Sequence, residues 1–327
     1  MRQGVFLDAA SLDTGLESQG QQTELDFSRL RGSLEAWQVY ARTTVAEVEA
    51  RLADAEVVVT NKVRLTAAQL AGAKKLKLIC IAATGTNNVD LTAARQQGLG
   101  VCNVRAYATP SVVQHVFALI LNLLRHIPDY QRAVRQGRWQ QSAQFCLLDY
   151  PIAELQEKVL GIVGYGELGQ AVARAAECFG MAVRVAQRPG RAAGVAGRTP
   201  LHELLPQIDI LTLHCPLAEN TRHLIGAPEL RLMKPDAMLI NTARGGLVDE
   251  AALAAALRRG QLGGAGIDVL AEEPPRDSPL LATDLPNLLL TPHIAWASRA
   301  ARQRLLDQVA DNILAFYAGK VQNRVDR

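Results

Sequence analysis

Several features that would bind or anchor a chain are missing here. The five cysteines (Cys80, Cys102, Cys146, Cys178 and Cys215) stand far apart and form no CxxC pair. That argues against a disulfide framework or a zinc ribbon. Three lie in strand-like runs (LICIAA, VCNV, LTLHCP) and one follows a helical pattern, so buried free thiols are expected. No HxxxH pair supports a metal, and no metal is expected. The longest apolar segment, PSVVQHVFALILNLLRHI, approaches the roughly 18 residues that cross a bilayer. Gln114, His115, Asn122, Arg125 and His126 interrupt it, so it reads as a buried helix joining two domains. The opening MRQGVFLDAASLD breaks its apolar run at Asp8 and reads as a strand, not as a signal peptide. Neither sign of charge dominates: 35 basic against 32 acidic residues leave a net charge of +3. Nucleic acid and membrane are therefore not expected partners. No short repeat or low-complexity tract appears, and a cytoplasmic location is expected.

The chain that remains has 327 residues, 49% hydrophobic and 20% charged, enough for two domains with sizeable cores. Short β-branched runs alternate with amphipathic helical runs, the pattern of an α/β protein with parallel sheets. VFLDA, AEVVVT, LKLICIAAT and GVCNV form a first doubly wound unit of about a hundred residues. KVLGIVG, MAVRVAQR, IDILTLHC, AMLINTAR, GAGIDVL and NLLLTPH form a second sheet with the strand count of a Rossmann domain. Between them, Arg132 to Glu154 lacks regular periodicity and reads as an extended arm. Its Trp139, Phe145, Leu147, Leu148 and Tyr150 suggest an interface in a two-fold homodimer; the alternative is an arm folded on its own domain. The last amphipathic helix, SRAARQRLLDQVADNILAFYAG, follows the completed second sheet, and its return to the first domain would make that domain discontinuous.

The sharpest local motif is Gly164-Tyr165-Gly166-Glu167-Leu168-Gly169, between a strand and a helix. Gly164 suits a tight turn, Gly166 a close backbone approach of a pyrophosphate, and Gly169 close packing of helix on strand. Dinucleotide binding is the expectation. The acidic residue that would hold the ribose hydroxyls is absent, and Gln187 and Arg188 end the next strand instead. Arg188 reads either as the partner of a 2′-phosphate, with Arg191 and Arg198 as helpers, or as a solvated loop residue.

Arg244, Glu273 and His293 each lie at or just after a strand of the second sheet, where open α/β sheets bind ligands. Together they suit redox chemistry on a carboxylate substrate. An arginine grips the carboxylate in two places, a histidine moves a proton near neutral pH, and a carboxylate orients and charges that histidine. The other histidines read as packing or capping residues (His115, His126), solvent-facing residues (His202, His223) and a packing residue near the site (His214). The loop from Ala83 to Asn88 precedes a helix and offers backbone N–H groups to an anion; a simple turn is the alternative.

The motifs ATGTNNVDL, YATPSVVQH, GIVGYGELG, LHCPLAENTRHLI, INTARGGLVDE, GAGIDVLAEEPP and TPHIAWAS occur in this order over nearly the whole chain. In this the chain resembles the D-isomer-specific 2-hydroxyacid dehydrogenase family, and most of all its bacterial glycerate dehydrogenases, also called hydroxypyruvate reductases. The resemblance implies a Rossmann coenzyme domain, residues 105–294, inserted into a smaller flavodoxin-like substrate domain, residues 1–104 and 295–327. It implies reduction of a small 2-keto acid, hydroxypyruvate or glyoxylate foremost, by NADPH or NADH. Other 2-keto acids such as pyruvate or phenylpyruvate, and a dinucleotide-sensing corepressor, are the alternatives. Arg244, Glu273 and His293 fall on the family's catalytic positions, and Thr84 and Gly85 where amides hold the substrate carboxylate. Thr109, the glycine loop, Gln187, Arg188, Cys215, Pro216, Thr221, Thr242, Ala243 and Asp268 fall at cofactor-contacting positions. Many members carry Asp where Gln187 stands, so the departure bears on the choice between NAD and NADP.

Overall fold

Runs such as VVVT and LICI are buried on both faces, so they fit only inside a sheet covered on two sides. The computed structural model describes residues 2–16, 23–188, 197–282 and 284–326. The chain divides into two units, residues 1–108 with 296–327 and residues 109–295. Each contains one all-parallel sheet.

In the first unit the strands are β1 (Gln3–Phe6), β2 (Ala36–Val39), β3 (Val57–Thr60), β4 (Leu78–Ile81) and β5 (Gly100–Cys102). Their order, β2-β1-β3-β4-β5, is the flavodoxin-like one. Sequence reading misses β2, because AWQV is half-exposed at the sheet edge and lacks a continuous apolar run. Trp37 anchors it: a Cβ on Gly4 would come within 2.7 Å of the indole carbons, so only glycine lets that ring lie across β1. The helix Arg299–Tyr317 belongs to this unit and buries Leu305, Leu306, Val309 and Ile313. Asn312 Nδ2 donates to Asn103 O at 2.8 Å, and Val325 N donates to Val101 O at 2.9 Å. Both ends of the chain thus build one core.

In the second unit the strands are β6 (Val159–Val163), β7 (Ala182–Val185), β8 (Ile210–Leu213), β9 (Met238–Asn241), β10 (Gly264–Ile267) and β11 (Leu288–Leu290). The order is β11-β10-β9-β8-β6-β7, and a parallel bridge from Ala186 to Thr199 extends it beyond β7. This is the doubly wound Rossmann order with one further strand at the β11 edge. All carboxyl ends share one edge of the sheet. The helix Thr109–Leu124 lies close over β10, where a Cβ on Gly266 would stand 2.9 Å from Leu119 Cβ. Among the described residues no helix is long and apolar enough to cross a membrane.

Two expectations need correction. The arm does not begin at Arg132, because a helix, Ile127–Arg135, continues through Arg135 before turns and irregular chain take over. Tyr150 ties the arm back to that helix: Tyr130 Oη donates to Tyr150 O at 2.9 Å, and the Tyr150 ring stacks on His126. The thiols are free, but not all are buried. Cys178 is exposed at the end of the helix Glu167–Cys178, and Cys146 is half-buried in the arm.

Candidate active site

The glycine loop joins β6 to the helix Glu167–Cys178. Gly164 has φ +94, and a Cβ there would lie 2.5 Å from Cys215 N, so the turn and the neighbouring loop both demand glycine. A Cβ on Gly169 would meet Gly164 O at 2.1 Å. Gly166 is different: nothing stands within 4 Å of where its Cβ would be. It therefore leaves an open cradle at the positive end of a twelve-residue helix, the arrangement that receives a pyrophosphate. Thr109 Oγ1 donates to the Glu167 carboxylate, bringing two of the expected residues together.

Past β8, Cys215 is buried against the glycine loop, while Pro216 is exposed. Thr221 Oγ1 donates to Pro216 O at 2.8 Å and accepts from Ala218 N at 2.7 Å, so that hydroxyl shapes its own loop. His214 bonds Thr212 Oγ1 at 2.9 Å, and burial of its ring pushes its pKa down to about 4.

Past β9, buried Asn241 works on both sides of the turn. Its Oδ1 accepts from Ala243 N at 3.1 Å and its Nδ2 donates to Arg244 O at 2.9 Å. Gly245 lets this turn pack on the next one, because a Cβ there would overlap the Leu270 carbonyl carbon at 1.9 Å. The Arg244 side chain is exposed, with Nη1 donating to Ala243 O at 2.6 Å. Thr242 Oγ1 is buried with no hydrogen-bond partner. An orphaned hydroxyl past the end of one strand and an open glycine cradle past the end of another, on the same sheet edge, are what a polar cofactor would satisfy, so these residues fit a nicotinamide dinucleotide.

Past β10 and β11 the chain builds the candidate proton-transfer pair. His293 Nδ1 stands 2.6 Å from Glu273 Oε2, and Glu273 Oε1 accepts from Leu270 N at 2.9 Å. Each side chain is about one-third exposed, with the histidine at 30% and the glutamate at 34%. His293 has φ +55, a left-handed conformation that costs a β-carbon residue roughly 1 kcal/mol or more. Asp268 holds it there. Its backbone O accepts from His293 N at 2.8 Å, Oδ1 from Ile294 N at 2.9 Å, and Oδ2 from Ala295 N at 2.9 Å. Expected as a cofactor contact, Asp268 has its carboxylate buried in this loop; its exposure is 1%. Asn241 and Thr291 escape sequence reading. The available signal is that each is a polar residue at or just past the end of an apolar strand.

Gln187 N donates to Thr199 O at 2.8 Å and Arg188 is exposed. Arg191 lies outside the described residues, whereas Arg198 sits with its guanidinium 5.0 Å from the centre of the Tyr165 ring. In the other unit, Thr84 Oγ1 donates to Val104 O at 2.9 Å and Asn103 Nδ2 donates to Thr84 O at 2.8 Å. The helix after that loop, Leu91–Gln96, is capped by Asp90, which accepts from Ala93 N. Any anion role of Thr84 and Gly85 therefore falls on loop amides, not on a helix end. Of the other histidines, His202 pairs with Glu229 at 3.0 Å, His223 is exposed, and His126 bonds Asp129 at 3.2 Å. His115, expected as a packing or capping residue, has its Nε2 3.0 Å from Thr291 Oγ1. Among the described residues no cluster of His, Cys, Asp or Glu is placed to hold a metal ion.

Residues 117–295 match the family described as D-isomer specific 2-hydroxyacid dehydrogenase, NAD binding domain. The chain is 47% identical over 324 residues to a glycerate dehydrogenase of Methylorubrum extorquens, covering 98% of each. It is 35% identical to a hydroxypyruvate reductase of Blautia hydrogenotrophica, covering 88% of this chain and 91% of the other. Among solved structures, an NADPH-dependent glyoxylate/hydroxypyruvate reductase of Sinorhizobium meliloti superposes with a TM-score of 0.82 at 28% identity, covering 99% of this chain and 98% of the other.

Proposed function

Because the chain belongs to the D-isomer specific 2-hydroxyacid dehydrogenase family, we propose that it reduces hydroxypyruvate or glyoxylate, with Arg244, Glu273 and His293 as its catalytic residues. The enzyme is an NAD(P)-dependent dehydrogenase that reduces 2-keto acids to D-2-hydroxy acids. The observation that carries the site assignment is the 2.6 Å pair of His293 and Glu273 on the same sheet edge as Arg244 and the glycine loop. Relatives named for hydroxypyruvate and glyoxylate support the choice of substrate.

The dinucleotide, when bound, supplies the hydride for the carbonyl carbon. Gly166 and the helix N-terminus behind it receive its phosphates, and the Thr242 hydroxyl gains a partner. The Arg244 guanidinium takes the substrate carboxylate in a forked contact. Thr84 and Gly85 are proposed as further donors to that carboxylate. His293, oriented through Nδ1 by Glu273, presents the opposite nitrogen, Nε2, to the carbonyl oxygen and gives it a proton. In the reverse direction the same nitrogen accepts it.

NADPH is used at least as well as NADH. Gln187 is neutral, so nothing at that position repels a 2′-phosphate, and Arg188 and Arg198 bring positive charge to the end of β7. A charged hydrogen bond is worth about 1.5–3 kcal/mol, and solvent exposure of Arg188 pulls toward the lower figure. Assays with hydroxypyruvate, glyoxylate, pyruvate and phenylpyruvate, each with NADPH and NADH, test both readings. Expected are kcat/KM values about tenfold higher for the first two acids, and a preference for NADPH that weakens with salt. Gln187→Asp with Arg188→Ala should turn that preference toward NADH. Preference for phenylpyruvate, or strong preference for NADH at low salt, would overturn the corresponding half.

The partner proposed is a second copy of this chain. The arm exposes Phe145 at 88%, Leu148 at 76% and Trp139 at 51%, an apolar set that a monomer would leave in water. A monomer in sedimentation at micromolar concentration would overturn it. Free cysteines throughout the described residues favour a reducing compartment, and a cytoplasmic location is proposed on that ground.

A further inference from the structure

The turn that carries His293 is gripped from the helix above it. Buried Asp268 and half-buried Thr291 are tied together under that turn, with Thr291 Oγ1 donating to Asp268 Oδ1 at 2.6 Å. Since the Thr291 proton is directed at the carboxylate, its oxygen has lone pairs left to accept. His115 Nε2 stands 3.0 Å from that oxygen, so it is the donor to it, and 3.4 Å from Asp268 Oδ1, within ion-pair reach of the carboxylate. One helical turn earlier, on the same helix face, Ser111 Oγ donates to Ala295 O at 2.7 Å. The helix Thr109–Leu124 thus holds the loop at Thr291 and at Ala295, on either side of His293. Close packing of this helix on Gly264 and Gly266 of β10 keeps it at that height.

We propose that His115 is a positioning residue for the reaction, acting through Thr291 and Asp268 to hold His293 in its left-handed conformation against Glu273. The proposal rests on His293 being the proton donor. Without the His115 donor, the Thr291 hydroxyl loses the partner that fixes its oxygen over Asp268, and the strained His293 backbone loses part of what keeps it in place. A displacement of about 1 Å at a reacting group is enough to cost roughly a hundredfold in rate.

The test compares His115→Ala, His115→Gln, Thr291→Val and His293→Asn in the full-length enzyme with hydroxypyruvate and NADPH. Gln places a donor near the position of Nε2, and Val keeps the shape of Thr without its hydroxyl. Expected for His115→Ala is a kcat lower by about ten- to a hundredfold, with KM and the NADPH dissociation constant within about threefold of wild type. His115→Gln should recover most of the kcat, and Thr291→Val should repeat the loss without altering the helix. Wild-type kcat in His115→Ala, or in Thr291→Val should His115→Ala fail to fold, overturns the proposal. So does a kcat loss that Gln does not rescue, because that marks a packing role. Wild-type kcat in His293→Asn overturns the proton-donor reading itself, and is distinguishable because the same assay reports it independently of His115.

Discussion

Replacing His293 with asparagine is expected to lower kcat for reduction of the 2-keto acid by about 10²–10⁴-fold, the range that positioned acid catalysis supplies. The side chain of asparagine reaches toward Glu273 as Nδ1 does, but it carries no titratable proton on the far side. Binding should survive, because the His293 turn is fixed by backbone bonds that do not involve the imidazole: His293 N to Asp268 O, and Ile294 N and Ala295 N to the Asp268 carboxylate. Dinucleotide affinity by fluorescence titration should therefore stay within about threefold while kcat collapses, a loss made in the transition state. Glu273→Gln should fall between this variant and wild type, since it keeps a hydrogen bond to Nδ1 that orients the ring but replaces a charge-assisted bond with a neutral one. Retention of more than about a tenth of the wild-type kcat in His293→Asn would mean that another group delivers the proton.

Arg244→Lys should be nearly as damaging as Arg244→Ala despite keeping the charge. The Arg244 backbone is set by Asn241 on one side and by the close approach of Gly245 to Leu270 on the other. From there a planar guanidinium can offer two parallel N–H groups to a carboxylate; an ammonium offers a point charge that turns freely. Loss of the fork should remove about 2–4 kcal/mol of transition-state stabilisation, or roughly thirty- to a thousandfold in kcat/KM. Measuring kcat/KM for both variants with the preferred 2-keto acid is sufficient. A lysine variant within about threefold of wild type would show that charge alone is needed, and that the two-point grip is not part of the mechanism.

How much of this was readable beforehand depends on the kind of signal each residue carries. The parallel sheets were legible because strands buried on both faces must be continuously apolar, as Val57–Thr60, Leu78–Ile81 and Ile210–Leu213 are. The glycine loop was legible because Gly164 and Gly169 have no substitute where a Cβ would strike backbone. Arg244, Glu273 and His293 could be singled out because polar residues after strands stand out against apolar runs. Edge strand β2 was not legible, since half-exposed AWQV obeys neither a continuous nor an alternating pattern.

Chemistry-bearing residue types and short-range patterns were thus determined by the sequence alone: the strand and helix periods, the glycines, and the candidates at strand ends. Only the tertiary structure decided what those residues do to one another. It gave Asp268, expected as a cofactor contact, the further task of anchoring the His293 turn, and it gave His115, expected as a packing or capping residue, a hydrogen bond to Thr291. It also assigned Arg198, far along the chain from the glycine loop, to the face of Tyr165. The reason is physical. Periodicity reports burial, which each residue expresses in its own neighbourhood, whereas hydrogen bonds between residues 23 to 176 positions apart exist only after the sheet has aligned its strand ends.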